Sequence, residues 1–296
     1  MEEERLRPFK KRSPFLRGCL VMLLIPPVFL LLMLGISKIK SLSMFTGERV
    51  AVLPITGVIT DSERSIEFLK RCGKDDSVKA VVLRINSGGG GVAPSQEIYE
   101  EVRKLKEKKP VVCSMGSVAA SGGYYIASAA HRIFANPGTM TGSIGVKMPF
   151  MSMKDLMEKI GIRGMTIKSG EFKDVGSPLR EMSQQEQQVL QAVVDNVHMQ
   201  FVNAVAAGRN LSPEEVMPVA DGRIMTGEQA LALGLVDEMG NLEDAVRYAA
   251  ARGGIKGEPR IISPPRSRRA LLSVIREEVS FILSGKTDEG IPLQLN

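Results

Sequence analysis

The sequence predicts an α/β domain on a largely parallel sheet, preceded by one membrane-spanning helix. Two observations predict this: a long uncharged apolar run near the start, and strand and helix signals that alternate from residue 49 to residue 252. The run is 18–36, which contains no charged residue and approaches the ~20 apolar residues a helix needs to cross a bilayer. Pro26 and Pro27 sit in its middle, where they kink a helix that a membrane still accommodates. The stretch after it, ISKIKSLSM, offers no small-x-small cleavage site, which favours a retained anchor over a cleaved signal peptide. Six Lys/Arg precede the span (Arg5, Arg7, Lys10, Lys11, Arg12 and Arg17), whereas only Lys38, Lys40 and Arg49 come soon after it. By the positive-inside rule residues 1–17 are cytoplasmic, and the chain beyond the 37–48 linker lies outside the cytoplasm.

Segments 49–54 (RVAVLP), 79–86 (KAVVLRIN) and 110–114 (PVVCS) are apolar and β-branched, as strands buried on both faces are. Between them 65–71 is a short helical candidate, and 95–108 repeats Ile98, Val102 and Leu105 at helical spacing until Pro110. A further helix is expected at 124–130. Strands separated by helices imply parallel pairing with right-handed crossovers. The longest helix is expected at 183–207, where Ser183 and Glu186 form a capping-box pattern. Its stripe of Val189, Val193, Val197, Phe201 and Val205 suits a core or a subunit contact. Segments 226–233 and 241–251 read as two more capped helices. From Gly253 the composition turns to Pro, Arg and Ser, so 253–296 reads as a basic linker and tail, with a short amphipathic helix at 271–283.

Composition excludes several functions. The net charge of +6 comes largely from the N-terminus and from Arg260, Arg266, Arg268 and Arg269. It lies beside an apolar run and carries no nucleic-acid motif, so no nucleic-acid partner is expected. The three cysteines (Cys19, Cys72, Cys113) form no CxxC, and two histidines make no zinc pattern. We expect neither a disulfide framework nor a metal or cofactor.

Chemistry concentrates in glycine-rich islands. The first, 86–92 (NSGGGGV), comes directly after a strand; it is a flexible turn, a phosphate loop or an oxyanion hole. It lacks the Gly-Lys-Ser/Thr ending of a phosphate loop, and an oxyanion hole needs a nucleophile nearby. The second, 115–125 (MGSVAASGGYY), supplies a candidate: Ser121, placed at a helix start where N–H groups favour developing negative charge. A serine there is also an ordinary N-cap. His131 and His198 lie in no Ser–His–Asp signature, although such triads are recognised in space rather than in sequence. The other available base is a lysine, which burial deprotonates by disfavouring the ammonium.

The segments RINSGGGGV, KPVVCSMGSVAASGGYYIASAA and NPGTMTGSIGV resemble the signal peptide peptidase A family of bacterial serine peptidases. The likeness continues through IKSGEFKDVGSP and REMSQQEQQVLQ to ADGRIMTGEQALALGLVDEMG, and spans roughly residues 50–250. It implies a fold like that of the Clp protease subunit and the crotonases, built from repeated ββα units. It also implies Ser121 as nucleophile, Lys173 as general base rather than its neighbours Lys168, Lys147 and Lys154, and Ser143 as the residue that orients the lysine. Gly89 or Gly90, with Gly122, would form the oxyanion hole. One departure stands out: Gly88 occupies a position that is usually proline in the family, which keeps the donors and loosens the loop.

The resemblance implies an endopeptidase of the bacterial inner membrane, acting outside the cytoplasm on cleaved signal peptides, as a homo-oligomer with enclosed active sites. Crotonase-type acyl-CoA chemistry is the alternative enzyme, and an inactive membrane scaffold the alternative without catalysis. The anchor together with Ser121, Ser143 and Lys173 argues against both.

Overall fold

Three long strands lie side by side and parallel in the computed structural model, which describes residues 47–264: β1 (Arg49–Ile59), β2 (Val78–Gly90) and β3 (Val111–Ala120). Side chains alternate across a strand, so an apolar run serves two cores at once. Ala51, Leu53, Ile55, Val81, Leu83, Ile85, Val111, Cys113 and Met115 join one core, and Val50, Val52, Ala80, Val82 and Val112 the other. The first core is closed by α1 (Glu63–Lys74), α2 (Val92–Lys106), α3 (Gly122–Ser128) and the long α5 (Gln184–Arg209). The second is closed by α8 (Leu242–Arg252) through Ala245, Val246, Ala249 and Ala250. Each large apolar side chain fully buried this way contributes about 1.5–3 kcal/mol. The α/β class with a parallel sheet is therefore as expected. The span expected at 18–36, Cys19 and the helix expected at 271–283 lie outside the described residues.

The sheet forks at β3. Its first half pairs in parallel with β4 (Arg132–Ala135) and its second half with β5 (Met140–Gly142). Beyond β5 lies β6 (Ile224–Thr226), the antiparallel partner, and beyond β4 lies β7 (Glu238–Met239). On the far side β8 (Arg260–Ile262) runs parallel to β1, inside the stretch read from composition as linker. Ile255 packs against the second core, so order continues past Gly253.

The strands run further than their β-branched segments. β2 continues from Asn86 through the glycine island to Gly90, and β3 from Ser114 to Ala120. Ladder bonds need only backbone, and the small residues there let the strands bend. Register shifts between Thr56 and Val58 and between Ile85 and Ser87 mark the bends. α2 starts at Val92, earlier than expected, because Pro94 falls in the first turn where no N–H is missed. The helix caps are as their sequences promise. Ser183 and Glu186 cap α5 reciprocally, Thr226 and Gln229 cap α7 (Gly227–Ala232), and Asn241 and Asp244 cap α8.

Between β5 and α5 the chain leaves both cores. This arm, 146–182, contains the short α4 (Lys154–Lys159) and no buried residue. Met165 is 90% exposed and Ile167 95%.

Candidate active site

β3 enters α3 through Ser121, whose φ of 51° and ψ of −123° place a non-glycine residue in strained backbone. Such conformations cost about 1–3 kcal/mol and persist only where the surroundings over-determine them. Here they do. The Ser121 N–H donates to the Gly142 carbonyl at 2.9 Å, and the Ser121 carbonyl accepts from Tyr125 N–H at 2.8 Å. Its hydroxyl caps nothing. The N-cap reading of this serine is thereby removed, and the hydroxyl is left facing a cleft of about 890 Å³.

The end of β2 lies directly against it. Gly89 has φ +102°, and a Cβ there would sit 2.7 Å from Ser121 Cβ and 2.8 Å from Gly122 N. Gly122 is equally confined, since its own Cβ would collide with Ser95 Oγ. No side chain larger than hydrogen lets these two segments approach so closely. Gly89 N–H donates to Ser87 Oγ at 3.1 Å, and that hydroxyl donates to Gly57 O at 2.5 Å. Ser143 comes just after β5 with φ 50°, its N–H donating to Arg223 O at 2.7 Å, and its side chain also lines the cleft. Ser121, Ser143, Gly89, Gly90 and Gly122 thus converge on one cleft from three different strands.

The lysines are placed otherwise. Lys173 is exposed on the arm, its N–H donating to Gly170 O at 3.2 Å, and it is not among the residues lining the cleft of its own chain. Lys168 is held by Asp174 at 2.7 Å, and Lys154 by Glu181 at 3.2 Å. Lys147 lines the cleft mouth. Neither histidine reaches the cleft. His131 Nδ1 accepts from Val111 N–H at the opposite end of β3, and burial, with Lys106 nearby, lowers its pKa.

The cleft's apolar walls were not singled out by sequence, although Val92 and Tyr125 fall inside the two glycine islands. Val58, Val92, Tyr125, Val197 and Phe201 give it apolar walls, with the Tyr125 and Phe201 rings 4.8 Å apart. Burial pushes the Tyr125 phenol pKa up. Asp221 and Gly222 close one end, with Asp221 bound to Arg223. For Val197 and Phe201 the signal was the α5 stripe, which gives no sign that its middle faces a cleft.

A strained, uncapped serine between a strand and a helix, with a glycine strand pressed against it, defines an α/β protein built to present a hydroxyl in an apolar cleft. Comparison with known proteins agrees. The model of peptidase family S49 matches residues 103–256, which contain Ser121, Ser143 and Lys173. The chain is 46% identical over 212 residues to the provisionally named protease slr0021 of Synechocystis sp., covering 71% of this chain and 76% of that one. It is 37% identical over 249 residues to the provisionally named protease MJ0651 of Methanocaldococcus jannaschii, covering 77% and 80%. A protein of Enterococcus faecium, provisionally named signal peptide peptidase SppA, is 40% identical over 215 residues, 68% of this chain and 62% of that one. The chain belongs to peptidase family S49, as its resemblance to signal peptide peptidase A proteins implied, and is a protease by that membership.

Proposed function

We propose that this protein is a membrane-anchored serine endopeptidase that cleaves extended apolar peptides, signal peptides among them, with Ser121 as nucleophile and Lys173 as general base. The observation that carries the reading is Ser121 itself: strained, uncapped and packed against Gly89 in a cleft with apolar walls. Lys173 takes the Ser121 proton as the hydroxyl attacks the scissile carbonyl. Ser143 holds the lysine by a hydrogen bond, the orienting role common to activated nucleophiles. The developing oxyanion is met by N–H groups of Gly122 and Gly90, since that of Gly89 is already given to Ser87. Losing one such donor costs about 3 kcal/mol of transition-state stabilisation. The proton then passes to the leaving amine, and water, deprotonated by the same lysine, releases the acyl group. The forked sheet, with each long strand bent at a register shift and then entering a helix, fits the Clp protease/crotonase-like plan.

Lys173 stands away from its own chain's cleft, on an arm whose Met151, Met165 and Ile167 are left largely exposed among the described residues. A homo-oligomer accounts for both facts: the arm lies on a neighbouring copy and delivers Lys173 to that copy's Ser121. The exposed Val189 and Val193 of α5 offer further contact area. The span at 18–36 would hold the assembly at the bacterial inner membrane with its catalytic domains outside the cytoplasm, beside apolar substrates.

Four measurements test this. Ser121→Ala should abolish both peptide hydrolysis and fluorophosphonate labelling; labelling that persists removes Ser121 as nucleophile. Mixing Ser121→Ala with Lys173→Ala, each inactive alone, should restore part of the activity when subunits exchange, because one supplies the lysine and the other the serine. A mixture that stays dead, or a fully active monomer in light scattering, sinks the shared site. A reporter that functions only outside the cytoplasm, fused at Gly257, checks the topology.

A further inference from the structure

We infer that Arg180 is a positioning residue: by gripping Asp174 and Glu186 together it fixes the loop that presents Lys173. The inference rests on the reading of Lys173 as base. Because 146–182 has no buried residue, apolar packing among the described residues does little to set where Lys173 stands, the Phe150 ring against Gly176 being its nearest instance. Polar contacts do so instead. One edge of the Arg180 guanidinium takes Asp174, with Nε to Oδ2 at 2.9 Å and Nη2 to Oδ1 at 2.8 Å. The other edge takes Glu186, with Nη1 to Oε2 at 2.8 Å and Nη2 to Oε1. Nη1 also donates to Glu181 O at 3.0 Å, and Nη2 to Asp174 O at 3.4 Å.

Each end of this clasp leads somewhere. Glu186 is the buried capping residue of α5, accepting from Ser183 N–H at 2.8 Å, and α5 is rooted in the core through Phe201, Val202 and Val205. Asp174 is the residue directly after Lys173 in the chain. Its Oδ1 also accepts from Lys168 Nζ at 2.7 Å, while that ammonium donates to Glu171 O at 2.7 Å, closing the loop on itself. Core, helix, Glu186, Arg180, Asp174 and Lys173 therefore form one mechanical line. Lys168, a rival for the role of base by sequence, is a strut in it. Only a two-edged planar cation can hold both carboxylates side by side, which lysine cannot do.

Positioning and ordinary stabilisation differ in what they predict. The Asp174 end of the clasp is partly exposed, and such ion pairs add little to folding, whereas a small displacement of a catalytic group can cost about 100-fold in rate. The test uses the full-length protein in detergent and a fluorogenic apolar peptide. Arg180→Lys and Asp174→Asn should each lower kcat by about 10- to 100-fold, with KM and the thermal midpoint nearly unchanged. Hydrogen exchange should quicken at 170–177 and stay as in the wild type beyond the first turn of α5. Should Arg180→Lys fail to fold, Asp174→Asn, which keeps the side-chain shape, carries the test. If Lys173→Ala is inactive while both clasp variants keep wild-type kcat, the clasp is refuted and the base stands. If kcat falls only together with the midpoint, Arg180 is merely structural and the inference is wrong. If Lys173→Ala remains active, the base assignment falls and takes the clasp with it.

Discussion

Gly89→Ala is the sharpest probe of how the cleft is built. The added methyl would lie 2.7 Å from Ser121 Cβ, 2.8 Å from Gly122 N and 3.0 Å from Ser121 Oγ. Relaxed carbon contacts sit at about 3.5–4.0 Å, and of these three atoms only Ser121 Oγ can rotate away, while Ser121 Cβ and Gly122 N are fixed by the backbone. The backbone at φ +102° adds strain to the clash. Overpacking costs about 1–3 kcal/mol and the conformation about 1–3 kcal/mol more. Their sum is a large part of the ~5–15 kcal/mol that stabilises a domain. The thermal midpoint should fall by about 5–20 °C. Fluorophosphonate labelling of Ser121, measured well below that midpoint, should slow by about 100-fold because the hydroxyl is displaced. The control is one residue away. A Cβ at Gly88 meets nothing within 4 Å and φ there is not positive. Gly88→Ala should therefore label normally and gain about 0.4–1 kcal/mol from a stiffer unfolded chain. Wild-type labelling and an unchanged midpoint in Gly89→Ala would refute the close approach of β2 to the serine.

Ser121→Gly should be about 1 kcal/mol more stable than Ser121→Ala in urea unfolding, since glycine relieves the strained φ of 51° and alanine does not; the opposite order would mean the turn is unstrained. Lys173→Arg should be as inactive as Lys173→Ala, because a guanidinium does not give up its proton in the working range, while Lys168→Ala should retain most activity because Arg180 still grips Asp174. Acid should loosen the arm before the core. Arg180 and Ser183 lower the Glu186 pKa from 4.5 to about 2, and Arg180 and Lys168 lower that of Asp174. A depressed carboxylate pKa favours the folded arrangement fully above the unfolded value and loses that advantage as pH falls through the folded one. The Arg180 side-chain NMR signals should therefore hold down to about pH 4.5 and change as pH approaches about 2; a change near neutrality would contradict the ion pairs.

Much of this fold was legible because its determinants are local. The Ser183, Thr226 and Asn241 caps are written in four-residue patterns, and all three caps formed. The β-branched runs at 49–54, 79–86 and 110–114 mark the central strands, because burial on both faces leaves no other composition. β8 was illegible: Arg260 and Ile261 form an edge strand exposed to solvent, and only pairing with β1 makes it a strand. At the site, residue types sufficed to nominate Ser121 but not to separate a nucleophile from an N-cap. That distinction is a backbone angle fixed by Gly142 and Tyr125, one of them across the sheet. Val197 and Phe201 were unreadable as cleft walls for a related reason. A helical stripe records that a face is apolar, not whether protein or a peptide covers it.

The bareness of the arm separates two jobs that most domains perform with the same residues. Removing an apolar side chain from β1 or α3 opens a hole in a core, and folding suffers. Removing Met165 or Ile167 opens no core, because each is almost wholly exposed among the described residues. The arm's surface is thus free to change with little effect on whether the domain folds, within the limit set by Asp174, Arg180 and Glu186 at its base. Variation there would alter what the arm meets, and leave Ser121 and its glycines as they are.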